Sequence, residues 1–207
     1  DFIGSGPTVP DSSTLADARA VLANFGIDPP ESVARRLQDP SAETPKPGDP
    51  IFARTAFQMV ATPLEALAAA AAATQTPAHI LSDRIEGEAR EVAKVHAAIA
   101  RHVAERGQPF QPPAVLLSGG ETTVTVRGGG RGGRNAEFLL ALAIELEGLP
   151  DVYAIACDTD GIDGSEDNAG AIIGPDTLAR ARALGIDVRA RPAGIEGREE
   201  CAGWGSR

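Results

Sequence analysis

Apolar residues recur at helical spacing near the start of the chain, at Leu15, Ala18, Leu22 and Phe25. This predicts a helix started by Ser13 or Thr14 and stopped at Gly26. A second short helix follows Pro29 and Pro30, with Val33 and Leu37 on one face. Residues 39–50, DPSAETPKPGDP, hold too much proline for regular structure and read as an exposed loop, with Lys46 solvated in it. Residues 51–61 read as a buried strand. Pro63 opens an alanine-rich helix to about Ala73, and AHILS at 78–82 reads as a short strand. The longest helix is expected from Glu86 to Gly107. Ala89, Val92, Ala93, Ile99, Ala100 and Val103 form its apolar face, glutamates load its first turns, and Arg101 and Arg106 close its end. His96 and His102 lie six residues apart on it, do not share a face, and read as solvated.

GQPFQPP at 107–113 is the strongest linker signal and divides the chain into a domain over 1–108 and another over 113–207. Beyond it, LLSGGETTVTVRGGGRGGRNAEFLLALAIELE (116–147) reads as strand, Gly-Gly turn, second strand, glycine-arginine loop and helix. VYAIACD (152–158) is an apolar strand ending in an acid, and residues 171–173 suggest another strand. Pro175 at the first helical position starts a helix through Leu184, ended by Gly185. Strands alternating with helices on both sides of the linker imply an α/β class with two α/β domains. From Arg189 the period is lost, and a truncated or frame-shifted end is expected there. The start at Asp1 reads as the middle of a structure.

Composition narrows the function classes. The formal net charge is −10, which argues against nucleic acid or an anionic membrane as main partner. Any anion site must therefore be local. The two cysteines, Cys157 and Cys201, have neither metal-ligand nor redox spacing. No apolar run is long enough to span a bilayer, and a cytoplasmic setting is expected.

The loop of residues 128–133 carries five glycines and Arg131, flanked by Arg127 and Arg134. Glycine lets backbone N–H groups approach an anion, a helix start adds partial positive charge, and guanidinium adds two-pronged donors. An anion site and a plain connection with solvated arginines stand about even on this ground. Gly128, Gly130 and Gly133 also satisfy G-x-G-x-x-G, which supports an NAD(P)H-dependent oxidoreductase, although a five-glycine run matches many patterns. A single RGG-like segment in an acidic protein is a weak RNA-binding signal. Asp158, Asp160 and Asp163 follow an apolar strand, where α/β folds bind ligands and where Mg²⁺ takes carboxylates plus phosphate oxygens. The acidic loop fails the EF-hand template, with Ile162 and Asp163 at the fifth and sixth positions. Ser118 lies outside a G-x-S-x-G elbow, and no histidine is read as placed to serve it.

SGPTVPDSST (5–14), ETPKPGDPIF (43–52), GEAREVAKVHAAIAR (87–101), LLSGGETTVTVRGGGRGGRNAEFLLALA (116–143) and DTDGIDGSEDNAGA (158–171) together resemble the bacterial glycerate 2-kinase family, whose members are often labelled hydroxypyruvate reductase. The resemblance implies ATP- and Mg²⁺-dependent phosphorylation of D-glycerate to 2-phosphoglycerate, with the active site between two α/β domains. It implies that residues 1–108 are the later part of a Rossmann-like domain and that residues 113–207 are a truncated MOFRL domain with an atypical tail from about 189, so that the two-domain arrangement is incomplete at both ends. Within that frame, chemistry assigns Arg131 and Arg134 to phosphate or the glycerate carboxylate. Glu121 and Asp160 are assigned to orienting the hydroxyl, and Asp158 and Asp163 to the metal. Gly119, Gly120, Gly130, Gly132 and Gly133 would cradle oxygens, with Ser5 and Thr8 closing the site. Assembly with further copies of the chain stays open.

Overall fold

The computed structural model describes residues 9–56, 58–126, 132–165 and 167–188. The chain forms two compact units, residues 1–60 and 61–207. The first unit is helical where described. It holds α1 (Leu15–Asn24) and α2 (Glu31–Gln38), followed by single 3-10 turns at Pro40–Ala42 and Pro50–Phe52. Thr14 caps α1 in a reciprocal box: its side chain accepts from the Asp17 N–H, and the Asp17 carboxylate accepts from the Thr14 N–H at 2.8 Å. Gly26 follows in the left-handed region, φ 62°. The helices fall where periodicity puts them, but their apolar faces are not buried within this unit: Phe25 is 77% exposed. The buried strand expected over 51–61 is absent among the described residues, and Ile51 and Val60 are exposed. Three prolines and a glycine in residues 45–50 start a turn rather than a pairing edge.

Lys46 is not simply solvated. Its ammonium pairs with Glu43 at 2.6 Å, donates to Thr44 Oγ1 at 2.8 Å, and reaches the Ser13 carbonyl. This ties the proline loop to the start of α1. Glu43 in turn accepts from the Leu15 N–H at 3.1 Å.

The second unit is the α/β part. It runs α3 (Pro63–Ala73), β1 (Ala78–Glu88), α4 (Ala89–Arg106), β2 (Val115–Thr123), α5 (Arg134–Leu146), β3 (Ala154–Cys157), β4 (Gly170–Ile173) and α6 (Thr177–Ala183). β1 and β2 pair in parallel with α4 as the crossover, and β3 and β4 pair antiparallel. The 107–113 linker thus joins α4 to β2 inside one unit. Small residues let α4 lie close on α5: Ala93 and Ala97 are buried against a cluster with Leu139, Leu142, Ala143 and Leu146, joined by Ile173 and Leu178. Arg90 pairs with Glu137 near the start of both helices, and Arg101 donates to the Glu145 carbonyl at 2.9 Å near their ends.

Four expectations are corrected here. β1 extends to Glu88, so Glu86 and Glu88 belong to a strand and α4 begins at Ala89. Beyond AHILS, Ile85–Glu88 pair with Gly120–Thr123, and Glu88 accepts from the Thr125 N–H and hydroxyl at 2.9 and 3.0 Å. Gly119-Gly120 is no turn: β2 passes straight through it. Gly120 sits at φ 153°, and a Cβ there would strike the Ile85 backbone, so Gly120 serves close strand approach at a shift of register. Lastly, Pro175 precedes the Asp176 cap of α6 instead of opening the helix.

The start of α5 is held from a distance. Gly133 at its cap has no side chain to offer. The carboxylate of Asp163, which is fully buried, replaces it. Oδ1 accepts from the Asn135 N–H at 3.0 Å and its side-chain amide at 3.2 Å, and Oδ2 accepts from the Ala136 N–H at 2.9 Å. These are the second and third helical N–H groups, the usual targets of a capping side chain. A Cβ on Gly133 would collide with that carboxylate.

Two predictions follow from these caps. Asp163→Ala removes a buried cap and leaves two N–H groups without acceptors, a loss of about 2–4 kcal/mol. The urea midpoint of the full-length protein should fall accordingly, and Asp163→Asn should lose less. In the first unit, hydrogen bonds from Thr14 hold the Asp17 carboxyl below its ordinary 3.8. Its contribution to α1 is therefore complete above that value and fades as pH falls through the lower folded value. NMR shifts of residues 14–25 should report α1 loosening only below about pH 4, and Asp17→Ala should abolish the transition.

Candidate functional site

Three segments meet at Arg134, the first residue of α5. Its Nε and Nη2 donate to Asp158 Oδ1 at 3.2 and 2.5 Å, and its Nη1 reaches Glu121 Oε1. Asp158 directly follows β3, and Glu121 lies late in β2. The hydrogen bonds to Asp158 first, and then to Glu121, raise the guanidinium pKa further above its ordinary range. The cluster is graded in exposure: the side chain of Asp158 is 11% exposed, that of Arg134 31% and that of Glu121 63%. Asp158 is the buried anchor, and Glu121 closes the edge that faces solvent. The Asp158 N–H donates to the Ala169 carbonyl at 2.7 Å, which fixes the anchor's backbone.

Of the residues singled out from sequence, Arg134, Glu121 and Asp158 are therefore brought together. Asp160 is exposed. Asp163 is occupied as the α5 cap, so the expectation that it presents oxygens to a metal is corrected: both oxygens already serve N–H groups. The same finding corrects the picture of α5 as an open anion-binding terminus. Gly132 is also spoken for, its N–H donating to Ser165 Oγ at 3.2 Å and its carbonyl accepting from the Ser165 N–H at 3.2 Å. Gly133 is buried against Asp163. Gly119 faces Leu67 of α3, and Gly120 meets β1. Arg131, Gly130, Ser5 and Thr8 lie outside the described residues. Among the described residues, no group of three or more His, Cys, Asp or Glu is gathered as a metal site, and no helix is long and apolar enough to cross a membrane.

His96 was missed by the sequence argument. Its Nδ1 lies 2.9 Å from the Val92 carbonyl, its Nε2 lies 3.0 Å from Ser118 Oγ, and its ring meets Phe138 edge-on at 5.2 Å. It is half-buried rather than solvated, and it does serve Ser118. Its i+4 relation to Val92's carbonyl was legible, but its partner depends on where β2 lies beside α4.

The comparisons agree with this architecture. Residues 114–203 match the MOFRL family, a match that runs into the segment from Arg189 where the periodicity breaks. Residues 1–38 match a domain of unknown function, DUF4147. An Agrobacterium vitis protein named as a hydroxypyruvate reductase is 52% identical over 193 residues, 91% of this chain and 43% of its own length. The D-glycerate 2-kinase of Thermotoga maritima is 40% identical over 90% of this chain and 44% of its length. The glycerate 2-kinase of Pyrococcus horikoshii is 39% identical over 91% and 44%. Among solved structures, the crystal structure of glycerate kinase from Thermotoga maritima is similar with a TM-score of 0.75 at 34% identity, covering 98% of this chain and 48% of that one. The chain thus spans less than half the length of these relatives. Residues 114–203 thus carry a MOFRL-family match, and the chain is similar in sequence and fold to proteins named as glycerate 2-kinases over less than half of their length.

Proposed function

We propose that a full-length protein carrying this chain transfers the γ-phosphoryl group of ATP to the 2-hydroxyl of D-glycerate, with Mg²⁺, in the cytoplasm. The observation that carries this reading is the meeting of Arg134, Glu121 and Asp158 at the C-terminal end of parallel β2 and at the end of β3. That is the edge where open α/β sheets take ligands. Its support is the identity of 39–40% to proteins named as glycerate 2-kinases.

Phosphoryl transfer asks mainly for positioning and charge neutralisation. Arg134 would supply both. Asp158 holds the Nε–Nη2 side of the guanidinium, while the Nη1 side is closed only by an exposed glutamate. A phosphate or carboxylate of substrate would replace Glu121 at Nη1 and keep the anchored side unchanged. Glu121, once displaced, would accept the proton of the attacking hydroxyl or hold the metal. The donor set fits Mg²⁺, because one or two carboxylates plus phosphate oxygens suffice for that ion. Asp158 and the displaced Glu121 are the residues that would hold it, and when bound it would neutralise phosphate charge. Asp163 is left to α5. The domain division proposed with this reading falls at the 107–113 linker, and the MOFRL match begins just beyond it.

Hydroxypyruvate reduction is the second reading, favoured by the name of the 52% identical relative. The packing of Gly132 and Gly133 against residues 163–165 argues against it, because a dinucleotide fingerprint needs that backbone open to pyrophosphate.

Two predictions test these assignments in the full-length protein. With D-glycerate and Mg-ATP, phosphoglycerate should form, and with hydroxypyruvate and NADH no oxidation of NADH should be seen. The reverse pattern would replace the kinase reading. Arg134→Ala should lower kcat/KM for glycerate at least about tenfold, the size of one lost charged contact. Unchanged kinetics would remove Arg134 from the substrate's contacts.

A further inference from the structure

Away from the Arg134 cluster, the structure pairs a serine hydroxyl with a histidine ring. Ser118 is exposed on β2, and its Oγ lies 3.0 Å from His96 Nε2. The other ring nitrogen, Nδ1, lies 2.9 Å from the Val92 carbonyl. A carbonyl can only accept, so Nδ1 carries the hydrogen. In the neutral ring Nε2 then has its lone pair free to accept the Ser118 hydroxyl hydrogen. The ring cannot swing away easily, because it is half-buried and the Phe138 ring meets it edge-on at 5.2 Å. This is the nucleophile–base–orienter arrangement of a base-activated serine, with a backbone carbonyl as the orienter.

Location gives the pairing a chemical class. Phe138 and Arg134 are four residues apart on α5 and share a face. Through Phe138, the His96–Ser118 pair therefore sits beside the helix whose first residue reaches Glu121, three residues beyond Ser118 on β2. A group attacking from Ser118 works on the strand that also carries Glu121, the exposed partner of the Arg134 guanidinium.

We propose that Ser118 is a nucleophilic serine activated by His96, able to take a phosphorus electrophile covalently. In the step, Ser118 Oγ forms a bond to phosphorus, the bond from phosphorus to its leaving group breaks, and the hydroxyl proton passes to His96 Nε2. The imidazolium then returns that proton to solvent. The choice of a phosphorus electrophile rests on the proposed anion role of Arg134, while the activation of Ser118 by His96 does not.

The test uses a fluorophosphonate on the full-length protein, with adduct positions read by peptide mass spectrometry. Fluoride is the leaving group. Ser12 and Ser32 are also exposed and serve as internal references within the same molecule. Ser118 should label at least about tenfold faster than either, the low end of what a positioned base contributes. His96→Gln should bring Ser118 down to the reference rate. Equal labelling of all three serines in the unaltered protein would overturn the proposal, without reliance on any variant that might misfold. Undiminished labelling of Ser118 in folded His96→Gln would overturn the part assigned to His96.

Discussion

The second unit depends on one buried carboxylate. Asp163 comes from the acidic loop after β3, yet its two oxygens accept from the N–H groups that open α5. A negative charge at a helix N-terminus is favoured by the helix dipole as well as by hydrogen bonding. The contact joins loop and helix across 27 residues of sequence. It also sets the terms for the glycines. Gly133 must lack a Cβ for the carboxylate to reach in, and Gly132 exchanges hydrogen bonds with Ser165 on the same turn. With α5 fixed, its first residue, Arg134, has only one place to put its guanidinium: between the end of β3 and the end of β2.

The glycine-rich loop thereby changes meaning. A run of glycines before a helix suggests backbone N–H groups waiting for an anion. Here, over the residues the structure describes, the anion is internal. A helix terminus can satisfy its free N–H groups only once, and Asp163 takes the two that a capping side chain would take. On the proposed reading, charge recognition then falls to the Arg134 side chain, held by a buried partner on one side and an exposed one on the other.

What the sequence made legible were the features decided locally. The cap at Thr14, the start of α3 after Thr62 and the stop of α4 at Gly107 each rest on residues within one turn. Arg134, Glu121 and Asp158 were also legible as chemistry, because charged residues beside glycines and strand ends are unusual. The rest was settled by contacts between distant residues. β1 continues to Glu88 because β2 is there to pair with it, and at Gly120 within β2 the backbone of β1 passes too close for a side chain. His96 was read as solvated because its helix position says nothing of Ser118 on the neighbouring strand. The expected strand over 51–61 failed for the opposite reason: apolar residues there find no partner strand among the described residues.

The charge of the Arg134 cluster constrains how any phosphate could use it. One guanidinium stands against two carboxylates, so the three groups together carry a single negative charge, with Asp160 exposed nearby in sequence. The whole chain is acidic as well, at −10. A nucleotide polyanion is therefore repelled by this region until one of the carboxylates is neutralised or turned away. Of the two, Glu121 is the one that can move, because its side chain is mostly exposed while that of Asp158 is not. A bound divalent cation satisfies the same requirement by taking the carboxylates as ligands and phosphate oxygens with them. Binding of an anion and release of Glu121 are thus one event electrostatically. On the proposed reading, the arrangement is a closed pair that substrate would exchange into, and selectivity would come from which anion can displace a glutamate from a guanidinium held on its other side.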